Sequence, residues 1–287
     1  MTNTAFSLTR PSRRTTSVVF ASPHSGRGYS SHFLRRSMLN EKAIRSSEDA
    51  FVDQLFEVAP QFGASLITAN VPRAYVDLNR SIEELDPALI DGVRKGGHNP
   101  RVSSGLGVIP RVVANGQAIY SGKITLAEAQ QRIERYWAPY HTALQSELDQ
   151  AHEAFDEAIL IDCHSMPHEA MDSVVRTGIK RPEIVLGDRF GAAASEAIVD
   201  RIEAAFVHAG FAVTRNTPFA GAFITQNYGR PANGRHAIQV EIDRALYMNE
   251  KTIHPNAEFA TFKRRLQAII ADIARIGRPE AQPLAAE

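Results

Sequence analysis

The chain has 287 residues, of which 44% are hydrophobic and 22% charged. That is enough apolar side chain for a sizeable core, and it excludes disordered, collagen-like and disulfide-rich classes. Lys plus Arg and Asp plus Glu both number 32, so the basic surplus of a general nucleic-acid binder is absent. Cys163 is the only cysteine, which excludes an internal disulfide and a multi-thiolate metal site and points to a reducing cytoplasm. No apolar run approaches the roughly 18 residues needed to span a membrane. The first forty residues carry six arginines and no acid, as organelle-targeting leaders do. The apolar run at 17–21 reads as a core strand, however, and leaves such a leader too short.

In chain order, strands are predicted at 18–21, 65–69, 158–162, 211–214 and 237–242, each short, apolar or alternating, and bounded by turn residues. Helices are predicted at 47–62, after Thr125, at 192–209 and at 256–276. Thr125 opens its helix as a capping box with Glu128 reaching back, Pro139 is expected to kink or split that helix, and Gly210 and Gly277 stop the last two. Strands interleaved with helices predict one α/β domain over 1–287, with a mostly parallel mixed central sheet flanked by helices. Between 81 and 121 the pattern dissolves into Gly, Pro, Asn and Arg, which predicts an active-site insertion or lid.

Ionisable residues fall at strand ends, where ligand sites gather in parallel α/β sheets. Ser22-Pro23-His24-Ser25-Gly26 ends the first strand in His24, either a turn histidine or a ligand. Ile159-Leu160-Ile161-Asp162-Cys163-His164-Ser165-Met166-Pro167 ends a second strand in His164. Period two puts Asp162 and His164 on one face and Cys163 on the other, which makes Cys163 a structural thiol rather than a nucleophile. Two strands that each deliver an imidazole to one edge suit a zinc site. The third ligand must then be an acid. Glu48 and Asp49 are the nearest acids on a predicted helix, Asp49 is preferred, and Asp49 and Asp53 would share a helical face, although such acids also suit a helix N-terminus. If Pro72-Arg73-Ala74-Tyr75-Val76-Asp77-Leu78-Asn79-Arg80 is extended, Asp77 and Asn79 share a face. Arg73 and Arg80 then bracket an anion pocket, unless they are simply solvated. In Gln239-Val240-Glu241-Ile242, Gln239 and Glu241 alternate with Ile238, Val240 and Ile242. Glu241 therefore faces solvent or serves as a general base beside a metal-bound water.

These segments, with Gly105-Leu106-Gly107-Val108-Ile109-Pro110-Arg111 and Val185-Leu186-Gly187-Asp188-Arg189, resemble the N-formylglutamate amidohydrolase family over nearly the whole chain. That family is similar to the zinc carboxypeptidase and aspartoacylase group. The resemblance therefore implies a zinc-carboxypeptidase-like fold, one Zn2+ per chain held by His24 and His164, and Glu241 as general base. It also implies that Arg73 polarises the scissile carbonyl and that Asn79 and Arg80 grip the substrate carboxylate. Arg111, from the expected lid, is a further substrate-binding candidate. The wider group takes its next ligand from His-x-x-Glu, whereas here the run is His24-Ser25-Gly26-Arg27. Asp49 is read as the remaining ligand, and Glu48 stays open. The implied reaction is deformylation of N-formyl-L-glutamate to formate and L-glutamate, as in histidine degradation. The alternatives are deacylation of another N-acyl acidic amino acid and a non-catalytic acidic-ligand-binding protein. The expected partner is a small-molecule N-acyl acidic amino acid, with no nucleic acid and no membrane, and the oligomeric state is open.

Overall fold

A computed structural model describes residues 4–94, 99–175 and 180–279. Its centre is a seven-stranded sheet of β1 (Phe6–Thr9), β2 (Val18–Ser22), β3 (Ser65–Ala69), β4 (Ala158–Met166), β5 (Ile184–Gly187), β6 (Val213–Arg215) and β7 (Arg235–Asp243). They lie in the order β1-β3-β2-β4-β7-β5-β6. The β2/β3, β2/β4, β4/β7 and β5/β6 pairs are parallel, whereas β1/β3 and β5/β7 are antiparallel, so the mixed, mostly parallel sheet is as expected. β4 and β7 each run nine residues, beyond their predicted ends, because the polar residues that follow the apolar runs stay in the ladder. β1 and β5 were not expected, being only four residues long.

Alternation along the strands fills two cores. Phe20, Ile161, Cys163 and Val240 point to a face covered by the helices Glu196–His208 and Phe259–Ile276. Val19, Ala21 and Leu160 point to the other, where Tyr140 and Leu144 of the helix Ala138–Phe155 meet Leu89, Ile90, Val108 and Ile109 from the 81–121 segment. Each fully buried Leu or Ile contributes about 1.5–3 kcal/mol, so these four tie the segment to the domain despite its irregular backbone. Regular structure within it comprises the short helix Pro100–Ser103, a 3-10 turn at Ala114–Gly116 and a two-residue strand Ile90–Asp91 that pairs with Ile124–Thr125. Lys95 to His98 of the predicted insertion lie outside the described residues.

Three local expectations are corrected. The 47–62 helix is broken into Val52–Leu55 and a 3-10 turn at Ala59–Phe62, because Phe51 adopts a left-handed φ of 68° and buries its ring against Phe259. Thr125 Oγ1 accepts the Glu128 N–H at 3.1 Å, but the Glu128 carboxylate turns to Arg36 and Arg132 instead of completing the box. Pro139 does not end its helix, which runs on through it to Phe155. Lacking an N–H, it cannot bond the carbonyl four residues back, and the chain widens into a π-helical turn at Ile133–Trp137 before continuing as Ala138–Phe155. Among the described residues no helix is long and apolar enough to cross a membrane.

Candidate active site

The β4/β7 ladder sets His164 opposite Glu241 and Asp162 opposite Gln239, while Cys163 lies in the core on the far face. After β2 the chain bends at Pro23 and His24 and passes close against Val71 at Gly26, where a Cβ would come 2.0 Å from the Val71 carbonyl oxygen. Only glycine allows that approach. The turn brings His24 beside β4, its ring centroid 4.8 Å from that of His164. The Asp49 N–H donates to the His24 carbonyl at 3.0 Å, so the segment broken at Phe51 is pinned to the same place.

His24, Asp49 and His164 are buried and offer ligand atoms that all lie within 4.8 Å of one another. Behind each imidazole stands a carboxylate, Asp77 Oδ1 at 2.7 Å from His24 Nε2 and Asp162 Oδ2 at 3.0 Å from His164 Nε2. With Nε2–H donating backwards, each ring keeps an Nδ1 lone pair on the side of Asp49 Oδ2, which is 3.5 Å from His24 and 3.0 Å from His164. His24 Nδ1 is buried and has no hydrogen-bond partner among the described residues. An Nδ1 this close to a carboxylate oxygen is held by positive charge between them, supplied on His164 by a proton when no cation is bound. The donor set of two imidazole nitrogens and one carboxylate therefore fits a divalent cation.

The electrostatics agree. Burial disfavours charge on His164, yet Asp162 and Asp49 outweigh it and hold its pKa well above the usual histidine value. Burial pushes Asp49 and Asp77 up, but the neighbouring imidazoles, and for Asp77 also Arg73, hold both well below the usual carboxylate range. Glu241 balances the other way: burial, opposed by His164 and aided by Asp49, pushes it up to about 7. A carboxyl near neutrality is suited to taking and returning a proton.

A cavity of about 540 Å³ opens over this cluster, with Glu241, Arg73 and Arg80 in its walls. The 72–80 segment is a chain of turns rather than extended, with the Tyr75 and Val76 N–H groups both returning to the Pro72 carbonyl. Asp77 and Asn79 still face the site because Asp77 Oδ1 accepts the Asn79 N–H at 2.8 Å. Arg73 Nε donates to Asp77 Oδ2 at 3.0 Å. Arg80 is also buried, but its Nε and Nη1 have no hydrogen-bond partner among the described residues. Uncompleted donors of that kind favour an anion. Asn79 is engaged within the protein: its Oδ1 accepts the Ile224 N–H at 2.7 Å, and its Nδ2 lies 3.2 Å from Asp162 Oδ2 and 3.1 Å from His164 Nε2.

Two expected residues stand elsewhere. Glu48 is turned away from the cluster, its carboxylate accepting Arg45 at 2.9 and 3.0 Å and the Tyr29 hydroxyl at 3.1 Å. Arg111 does not line the cavity, because Asp86 and the Ser103 carbonyl hold its guanidinium at 2.8 and 3.3 Å. Conversely, Arg244 was not foreseen. It donates to Asp49 Oδ1 at 3.0 Å, Ser165 Oγ at 3.1 Å and the Ser46 carbonyl at 3.4 Å, which fixes the carboxylate with Oδ2 towards the histidines. Gln239 donates to Glu241 Oε1 at 2.8 Å, a contact signalled only by their shared strand face. Arg101, a further cavity-lining residue, carried no signal beyond its basic side chain.

A family model described as N-formylglutamate amidohydrolase matches residues 16–248. The chain belongs to that family. Two relatives described as N-formylglutamate deformylase are similar to it. The one from Pseudomonas putida is 30% identical over 240 residues, 81% of this chain and 82% of the relative. The one from Pseudomonas aeruginosa is 29% identical over 244 residues, 82% and 83% of the two chains. The crystal structure of N-formylglutamate amidohydrolase from Ralstonia eutropha JMP134 superposes with a TM-score of 0.88 at 35% identity, covering 95% of this chain and 98% of that one. A gene product of Agrobacterium tumefaciens, Atu2144, shares the fold at 15% identity with a TM-score of 0.64.

Proposed function

We propose that this amidohydrolase cleaves N-formyl-L-glutamate to formate and L-glutamate with the help of a zinc ion. The observation that carries this reading is the convergence of His24, Asp49 and His164 beside Glu241, in a cavity that also presents the uncompleted Arg80 guanidinium. The names and structure of the family members supply the substrate. His24 Nδ1, His164 Nδ1 and Asp49 Oδ2 would hold the zinc, a donor set that leaves coordination open. When bound, zinc at such a site acidifies water and polarises a carbonyl.

The protein's own groups divide the remaining work. Arg80, beside Asn79, binds a substrate carboxylate and orients the formamide. Glu241 takes a proton from the water that adds to the formyl carbon. Arg73 faces the negative charge that develops on the carbonyl oxygen, a contribution commonly of about 3 kcal/mol for one well-placed donor. Glu241 then delivers the proton to the amine nitrogen as the C–N bond breaks, releasing formate and glutamate. Gln239 holds the Glu241 carboxylate in place between the two transfers. The single thiol, Cys163, is buried in β4, and we place the reaction in the reducing cytoplasm.

The test is formate release from N-formyl-L-glutamate, before and after dialysis against a chelator and after zinc is returned. Release that is lost on chelation and restored by zinc is expected. A zinc-loaded protein that binds the compound without releasing formate would instead be a binding protein. Faster turnover of N-acetyl-L-glutamate than of the formyl compound would reassign the acyl group.

A further inference from the structure

The arginines that line the cavity differ in what holds them. Arg73 donates through Nε to Asp77 and is the group assigned to the developing carbonyl oxygen, while Arg244 is held by Asp49, Ser165 and the Ser46 carbonyl, so neither is left for a ligand carboxylate. Arg80 and Arg101 are different. Arg80 is buried with Nε and Nη1 uncompleted, and Arg101, in the short helix Pro100–Ser103, is exposed and makes no ion pair among the described residues. Both line the same cavity, and after burial, the opposing pull of Asp77 and the push of Arg73, the Arg101 charge also lowers the Arg80 pKa.

Their places in the cavity differ too. Arg80 lines the cavity together with His24, Asp49 and His164, and its Nε lies 3.8 Å from Asp77, the carboxylate paired with His24, so it belongs to the inner wall. Arg101 also lines the neighbouring surface depression beside Glu84, which places it on the rim between the two. In an N-formyl amino acid the α-carboxylate is attached to the carbon that bears the amide nitrogen. The side-chain carboxylate of glutamate is two methylenes further out. A substrate with its formamide at the cluster therefore brings the first carboxylate to Arg80 and carries the second towards the rim.

We propose that Arg101 is a specificity-determining residue that binds the side-chain carboxylate of the substrate, while Arg80 takes the α-carboxylate. The assignment rests on the deformylase reading above, and makes the site selective for N-formyl diacids over N-formyl monoacids.

The experiment is steady-state kinetics of zinc-loaded wild type, Arg101→Gln and Arg101→Lys on N-formyl-L-glutamate and on N-formyl-L-glutamine, which has nearly the same shape without the charge. Wild type is expected to prefer the glutamate compound. Arg101→Gln should lower kcat/KM for it by about 10–100-fold, through KM, and lower that for N-formylglutamine much less. Arg101→Lys should recover part of the loss. The glutamine compound also reports on folding, since a damaged protein loses both activities. Equal loss on both substrates, or an undiminished preference for glutamate in Arg101→Gln, overturns the assignment. So does a wild type that takes both equally, although the deformylase reading then stands. Formate release from neither substrate by wild type sinks that reading, and this assignment with it.

Discussion

The central strands and the surrounding loops deliver side chains to one cavity by different means. On β4 and β7 the backbone alone decides: Asp162, His164, Gln239 and Glu241 face the cavity because the residues between them face the core. In the 22–28, 46–51 and 72–80 segments no period operates, and each side chain is aimed by hydrogen bonds to another segment. His24 is held by Asp77, Asp49 by Arg244 and by the His24 backbone, and Leu78 by His141. The strand-borne half of the site is therefore stiff by construction, whereas the loop-borne half is only as rigid as its polar contacts.

That contrast can be tested, starting where the effect is largest. Glu241→Gln keeps the strand and its Gln239 contact but removes the base. It should lower kcat by about a thousandfold with zinc content unchanged, and steady-state kinetics with metal analysis would reject the base assignment if turnover survived. Next come the two carboxylates behind the imidazoles. Asp162→Asn, on a strand, should weaken zinc binding by about 10–100-fold in a competitive chelator titration. Asp77→Asn, in a loop, should fall further, because Asp77 also holds the Asn79 N–H and Arg73. Equal losses would erase the distinction between the two halves.

A stability measurement sharpens the same point. His141 donates from Nε2 to the Leu78 carbonyl at 2.8 Å and accepts the Tyr228 hydroxyl at Nδ1, and burial pushes its pKa down to about 4. The folded protein thus keeps this ring neutral, while the unfolded chain protonates it below about 6.5. Its contribution is whole above that pH and drains away as the pH falls towards 4, by up to about 3 kcal/mol. Urea unfolding of wild type and His141→Gln should show their stability gap narrowing between pH 6.5 and 4.5. A gap that stays constant would mean that the ring is not kept neutral. The smallest effect is expected on the far side of β4. Cys163→Ala should leave kcat and zinc content unaltered and destabilise the fold by only about 1–2 kcal/mol, and a loss of activity would bring the thiol into the chemistry.

The same division explains what could be read in the sequence. β4 and β7, their faces and the mixed sheet followed from apolar alternation, and so did the place of His164 and Glu241. Asp49 was preferred for its proximity to the right region, yet the helix supposed to present it does not exist, because packing of Phe51 overrides local helical preference. Arg244 was invisible for a related reason: its partner Asp49 is 195 positions away, and nothing local in either sequence marks the pair. Arg111 was the candidate from the expected lid, and Arg101 carried no local signal. Only the fold shows that Asp86 already occupies Arg111.

The π-helical turn at Ile133–Trp137 separates two stretches of helix with different obligations. Before it, Arg132 reaches the Tyr75 carbonyl and the Tyr120 hydroxyl. At its end and beyond, Trp137 donates to the Arg80 carbonyl, and Tyr140 and Leu144 pack on the sheet. A π-helical turn holds one residue more than an α-helical turn, so the flanking stretches keep their relative facing with that extra residue bulged between them. A single-residue deletion at the turn should consequently be tolerated far better than one inside Ala138–Phe155, where it would rotate the two ends of the helix by about 100° relative to each other and misalign either the insertion or the substrate arginine.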